Sequence, residues 1–150
     1  MIAVDLILPN LKATSKKQAF QAIATETAAL YNGSADRLLA ALLDRERIGS
    51  TGIGRGAAIP HVKVDDVKRI YGVLVRLETP VDYEAIDDQP VDIIFMLLAP
   101  SDSKTTQHLK TLAYISRFLK DQKTCAALRG MSDSSLIAAL LDDWAKTQAA

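Results

Sequence analysis

The sequence predicts an α/β fold, a sheet of buried strands covered by helices, in a single domain over residues 1–150. Three observations predict it. Val91–Leu98 (Val-Asp-Ile-Ile-Phe-Met-Leu-Leu) is almost continuously apolar, as a strand covered on both faces must be. Segments with helical apolar spacing lie both before and after it. Between the two groups runs a stretch too rich in glycine to be helix.

The elements follow in order. The first helix starts at Thr14 or Ser15, where Ser15-Lys-Lys-Gln18 fits a capping box. Its stripe is Ala19, Ile23, Thr27 and Leu30, and Asn32-Gly33 stops it. The second starts at Ser34, carries Leu38, Leu39, Leu42 and Leu43, and ends before Gly49. Thr51–Pro60 is a loop, with Ala57–Ile59 as a short strand. Tyr71–Leu77 is a strand, Asp65-Asp66 and Asp87–Pro90 are turns, and Val91–Leu98 is the central strand. Three helices close the chain. One runs from about Ser101–Ser103 to Leu119, and a short one covers Asp121–Arg129. The last, from Ser132 or Asp133, has Leu136, Ile137, Leu140, Leu141 and Trp144 as its stripe.

Composition narrows the function. The chain is 49% hydrophobic, enough for a real core. Lys+Arg and Asp+Glu number 18 each, so no net field favours nucleic acid or an anionic membrane. Any partner must read a local patch. The longest apolar stretch, Ile93 to Pro100, is far short of the roughly 18–20 residues that span a bilayer, and no secretory leader is expected. The lone Cys125 excludes an intrachain disulfide and suits a reducing, cytoplasmic setting. In Cys-Ala-Ala-Leu it reads as a small core residue; the competing reading is a reactive thiol near Lys123.

Chemistry converges on histidine. There are only two, His61 and His108, and no ligand pair flanks either at metal-binding spacing, so neither metal nor cofactor is expected. His61 follows Pro60 at the end of Thr-Gly-Ile-Gly-Arg-Gly. Glycines allow backbone N–H groups to converge on an anion, so Gly52, Gly54, Arg55 and Gly56 are a candidate phosphate loop. A neutral imidazole is a nucleophile near pH 7 and needs no general base, only one free nitrogen and one held nitrogen. His61 is therefore either a phosphoryl acceptor or an inert loop histidine. The loop lacks the lysine of a nucleotide-binding P-loop. His108 shares a helix face with Leu112, Ile115 and Leu119. It is either a core histidine or a donor kept neutral by the helix N-terminus. Arg45 and Arg47 lie equally close to the edge of the second helix's stripe, and pattern alone does not choose between them.

Leu42-Leu-Asp-Arg-Glu-Arg-Ile-Gly-Ser-Thr-Gly-Ile-Gly-Arg-Gly-Ala-Ala-Ile-Pro-His61 resembles the signature of the fructose/mannitol-type enzyme IIA family of the bacterial phosphotransferase system. Pro80-Val-Asp-Tyr83, Gln89–Pro100 and His108-Leu-Lys-Thr-Leu-Ala113 extend the likeness. Leu11-Lys-Ala-Thr-Ser-Lys-Lys-Gln-Ala19 resembles the start of the nitrogen-regulatory branch. The resemblance implies a central mixed sheet with helices on both faces. It implies phosphoryl acceptance on the Nε2 of His61, with His108 as a donor and Arg45 neutralising phosphoryl charge. It implies an HPr-like phosphocarrier as partner and a regulated target linked to nitrogen or potassium. The alternative is a sugar-transporter subunit that passes phosphoryl to a separate enzyme IIB. Two positions depart from the family pattern. Arg55 stands where Asn is usual, as an anion-binding or docking charge or a plain exposed arginine. Val62-Lys63 stands where a small residue follows the histidine, and the bulk of Val62 bears on the backbone beside the acceptor.

Overall fold

The computed structural model describes residues 4–103 and 105–149; Met1–Ala3, Ala150 and Lys104, at the start of the expected third helix, lie outside them. Strand β1 is Leu6–Leu11, followed by helices α1 (Lys16–Tyr31) and α2 (Ala35–Ile48). Three short strands come next, β2 (Gly52–Gly54), β3 (Ala57–Ala58) and β4 (His61–Val64). The long strands β5 (Tyr71–Val81) and β6 (Val91–Pro100) precede α3 (Thr105–Lys120), α4 (Gln122–Arg129) and α5 (Ser134–Ala149).

The strands form one mixed sheet in the order β1-β5-β6-β3-β2, with β4 also on β6. β6 is antiparallel to β5 and parallel to β3 and β4, while β1 runs parallel to β5. Alternation along β6 builds two cores. Ile94, Met96 and Leu98 face α1 and α2, where they meet Phe20, Ile23 and Leu38. Ile93, Phe95 and Leu97 face α3, α4 and α5, where they meet Phe118, Leu128 and Trp144. This explains the unbroken apolar run, since both sides of β6 are interior. The expected mixed sheet with helices on both faces is the observed architecture.

Local signals work as physics requires, with differences. Ser15 Oγ accepts from the Gln18 N–H at 3.1 Å. The Gln18 side chain reaches back one residue further than a simple capping box, to the N–H and hydroxyl of Thr14. At the far end of α1 the left-handed residue is Asn32 (φ 54°), not Gly33. Gly33 is favoured by space instead, because a Cβ there would overlap the Tyr31 ring. Leu136, expected on the inner stripe of α5, is exposed.

Three strands lie outside the sequence expectation. β1 contains Pro9 and Asn10, which argue against a strand, but it sits at the sheet edge where a missing donor is tolerated. β2 and β4 are only three and four residues long, and no periodicity can declare itself at that length.

Candidate functional site

The glycine-rich segment folds into a hairpin. Gly52 pairs with Ala58 and Gly54 with Ala57. Arg55 (φ 56°) and Gly56 (φ 83°) form the two-residue turn between them, both left-handed as a primed hairpin turn demands. Two amides of this segment have partners. The Gly52 N–H donates to Ser50 Oγ and the Arg55 N–H to Asp87 Oδ2. Arg129 Nη2 donates to the Arg55 carbonyl, and Arg129 Nε holds Asp92.

Register places the turn away from the histidine. Ala57 lies beside Ile93 of β6 and His61 beside Leu97. Four residues along a strand is roughly 13 Å. Gly54, Arg55 and Gly56 therefore sit at one end of the hairpin and His61 beyond the other. The expected phosphate loop is corrected on this point: its glycines close a turn, and the Gly52 position is tight because a Cβ would meet Ala85 at 2.9 Å.

His61 opens β4, which among the described residues pairs with β6 alone. Its other edge is unpaired and carries the exposed Lys63, a charge of the kind that guards sheet edges. The His61 Nδ1 lies 2.8 Å from the Ile59 carbonyl oxygen. A carbonyl only accepts, so Nδ1 carries the proton and Nε2 keeps its lone pair. The Pro60 carbonyl accepts from the Leu97 N–H at 2.9 Å, fixing the backbone just before the ring.

His108, the fourth residue of α3, packs against this ring. The two imidazoles are 5.8 Å apart between centroids and meet edge to face at 73°. Among the described residues, the buried His108 Nε2 has no hydrogen-bond partner. Such an atom costs roughly 1–3 kcal/mol until something supplies a partner. Burial chiefly, then the charges of His61 and Lys63, pulls the His108 pKa below the ordinary imidazole value. The shift favours the neutral ring, and burial rather than the helix terminus leads.

Arg45 belongs to α2, on the opposite face of the sheet. Its Nη1 donates to the Gly49 carbonyl at 2.8 Å, where α2 ends. Helix α2 packs directly on β4, which carries His61. Arg47 points elsewhere, into an exposed pair with Asp44. Val62 is buried among α1 and α2 side chains. Strand alternation sends it to the face opposite His61, so its bulk enters the core and not the surroundings of the His61 ring. Cys125 is buried, its Sγ donates to the Leu119 carbonyl, and burial raises its pKa, so it is a core residue.

Sequence reasoning passed over Glu46. Its carboxylate, 6% exposed, pairs with Lys16 Nζ at 2.9 Å. It also accepts from the N–H and hydroxyl of Thr51 and from the Tyr83 hydroxyl at 3.2 Å. Burial beside this carboxylate drives the Tyr83 phenol strongly upward. One signal pointed there: Glu46 lies inside the Leu42–His61 run that carries the family resemblance.

Comparison with known proteins agrees with this architecture. Residues 1–144 match the family described as the phosphoenolpyruvate-dependent sugar phosphotransferase system, EIIA 2. A nitrogen regulatory protein of Bradyrhizobium diazoefficiens is 43% identical over 141 residues, covering 94% of this chain and 92% of the relative. The crystal structure of nitrogen regulatory protein IIA-Ntr from Neisseria meningitidis superposes with a TM-score of 0.83 at 31% identity, covering 91% of this chain and 92% of that one. Enzyme IIA mannitol of Escherichia coli, in its complex with phosphorylated enzyme IIB mannitol, shares the fold with a TM-score of 0.74 at 18% identity, covering 95% and 98%. The chain belongs to the EIIA 2 family of the phosphoenolpyruvate-dependent sugar phosphotransferase system.

Proposed function

We propose that the chain is a phosphoryl carrier that takes a phosphoryl group on the Nε2 of His61 from a phosphohistidine of an HPr-like carrier or its nitrogen-branch relative. The observation that carries this is the pairing of a tautomer-fixed His61 with a buried, unpartnered nitrogen of His108.

The Nε2 lone pair attacks phosphorus in line as the P–N bond to the donor imidazole breaks. The Ile59 carbonyl keeps the Nδ1 proton and favours the positive charge that builds on the ring. Neutral His108, protonated on Nε2, donates to an equatorial oxygen. Arg45 releases the Gly49 carbonyl and swings over the β4 edge to the phosphoryl charge. The hairpin amides take no part. Both ends of the reaction are P–N bonds, so transfer is near balance, and the protein supplies positioning and water exclusion. Ile48, near Arg45 at the end of α2, and Leu109, next to His108, are exposed apolar side chains suited to a protein partner over this face.

Phosphorylation adds roughly −1.5 to −2 charge at one spot, and a target docking there senses it. Likeness to nitrogen regulatory proteins supports a nitrogen-linked regulatory role; we further propose a cytoplasmic setting and, as the other target class, a potassium-linked one. No helix among the described residues is long and apolar enough to cross a membrane.

Incubation with phosphoenolpyruvate, enzyme I and the carrier protein tests the proposal. The expected result is an acid-labile gain of one phosphoryl group, lost in His61→Ala. No gain, or a gain that survives the substitution, leaves His61 an inert histidine in a binding module. A second reading, onward transfer to an enzyme IIB, is favoured by the fold shared with the mannitol enzyme IIA that binds one. Loss of label from the phosphorylated chain to a IIB protein, or a neighbouring permease gene, selects that reading.

A further inference from the structure

We infer that Glu46 is a positioning residue for the phosphoryl acceptor, acting through a relay of hydrogen bonds that ends on His61 Nδ1. The inference rests on the reading of His61 as the acceptor. Glu46 anchors Thr51 twice, through the backbone N–H and the hydroxyl. The Thr51 carbonyl accepts from the Ile59 N–H at 3.0 Å. The Ile59 carbonyl accepts from His61 Nδ1 at 2.8 Å. Only the backbones of Thr51 and Ile59 thus separate a buried carboxylate on α2 from the nitrogen that sets the tautomer and aim of the nucleophile.

The carboxylate is saturated by its partners. Lys16 Nζ comes from α1 and also lies over the Tyr83 ring at 4.4 Å. The hydroxyls of Thr51 and Tyr83, 2.8 Å apart, both face Glu46 Oε1. Stability alone does not account for the arrangement, since a buried ion pair is often no better than apolar residues of the same volume. Geometry does. Glu46 ties the foot of the β2–β3 hairpin to the two-helix layer, and His61 hangs from that foot. A misplacement of about 1 Å at a reacting atom costs on the order of a hundredfold in rate.

The experiment uses the full chain. Phosphoryl transfer from the phosphorylated HPr-type carrier is followed in single turnovers over a range of carrier concentrations. The key variant is Lys16→Met with Glu46→Leu, which removes the ion pair as a unit and leaves no lone buried charge. The limiting rate is expected to fall tenfold to a hundredfold, in line with such a misplacement, while the half-saturating carrier concentration stays put. Glu46→Gln, which keeps an oxygen for Thr51, recovers part of the rate. Histidine 15N spectra of the unphosphorylated variants show His61 losing its single Nδ1–H tautomer in proportion. Asp92→Asn loosens the far end of the same hairpin and keeps both the rate and the tautomer. Wild-type rate and tautomer in the double variant overturn the inference. So does an equal rate loss in Asp92→Asn, which makes the effect one of general loosening. If the wild-type chain accepts no phosphoryl group, the proposed function falls. The tautomer spectra then decide the relay by themselves: unchanged spectra overturn it, and a shifted tautomer supports it.

Discussion

The two ends of the β2–β3 hairpin are held by different kinds of contact. At the Thr51–Ile59 end the anchor is Glu46, a carboxylate 6% exposed and paired with a lysine 17% exposed. At the turn the anchors are Asp87, fully at the surface, and the Arg129–Asp92 pair, 36% and 19% exposed. The sequence presents one run of glycines, but the fold makes a rigid foot and a wetter tip of it. The foot is next to His61; the tip is remote from it. The difference teaches that glycine richness here serves hairpin closure, while the backbone beside His61 hangs from a helix carboxylate.

The largest effect should come from breaking the foot on one side only. Glu46→Ala leaves Lys16 buried without its counter-charge, and such truncations cost about 3–5 kcal/mol. The unfolding free energy from chemical denaturation should fall by that amount. A loss below about 1 kcal/mol would mean that Lys16 escapes to water and the foot is no more rigid than the tip.

Removing the tip's clamp should cost less. Arg129→Ala deletes charge-assisted bonds to Asp92 and one to the Arg55 carbonyl. Partial exposure to solvent and salt limits the loss to about 1–2 kcal/mol. Phosphoryl acceptance should stay at the wild-type level. A drop in rate beyond the drop in folded fraction would join tip and foot into one functional unit.

A milder probe uses pH, and it reports on the His61 end alone. The folded-state pKa of His108 is depressed, by burial first. The unfolded chain therefore binds more protons at His108 as pH falls below about 6.5. This contribution to stability is fully present above that value and is lost as pH drops through the folded pKa. Urea midpoints between pH 7.5 and 5 should decline, and His108→Asn should flatten the His108 share of that slope. An unchanged slope would place the His108 ring in water, where no orphaned nitrogen awaits a phosphoryl oxygen.

The same contrast explains what could be read beforehand. The run Val91–Leu98 declared a doubly covered strand, and the caps at Ser15 and Ser34 declared helix starts, because each is a local rule with a local cause. β1 hid behind Pro9, which is harmless only at an edge, and edges are defined by the whole sheet. His61 stood out because few residue types can accept a phosphoryl group. Glu46 did not, since a charge on a helix ordinarily means a solvated face. Its partners Lys16, Thr51 and Tyr83 arrive from three other parts of the chain. The family motif marked the position, but only tertiary structure gives the reason.

The smallest effect sharpens the reading of Arg55. Its φ of 56° is left-handed, a region that costs an ordinary L-residue about 1–2 kcal/mol and Asn less. The backbone carries both of its contacts described above, the N–H to Asp87 and the carbonyl to Arg129, and any side chain keeps them. Asn, the usual family residue here, should therefore fit better than arginine. Arg55→Asn is expected to raise stability by a few tenths to about 1 kcal/mol and to leave phosphoryl acceptance unchanged. Thermal melts and the transfer assay check both halves. A slower transfer at low salt that recovers at high carrier concentration would show the guanidinium steering an acidic partner surface, and the tip would then join the docking face after all.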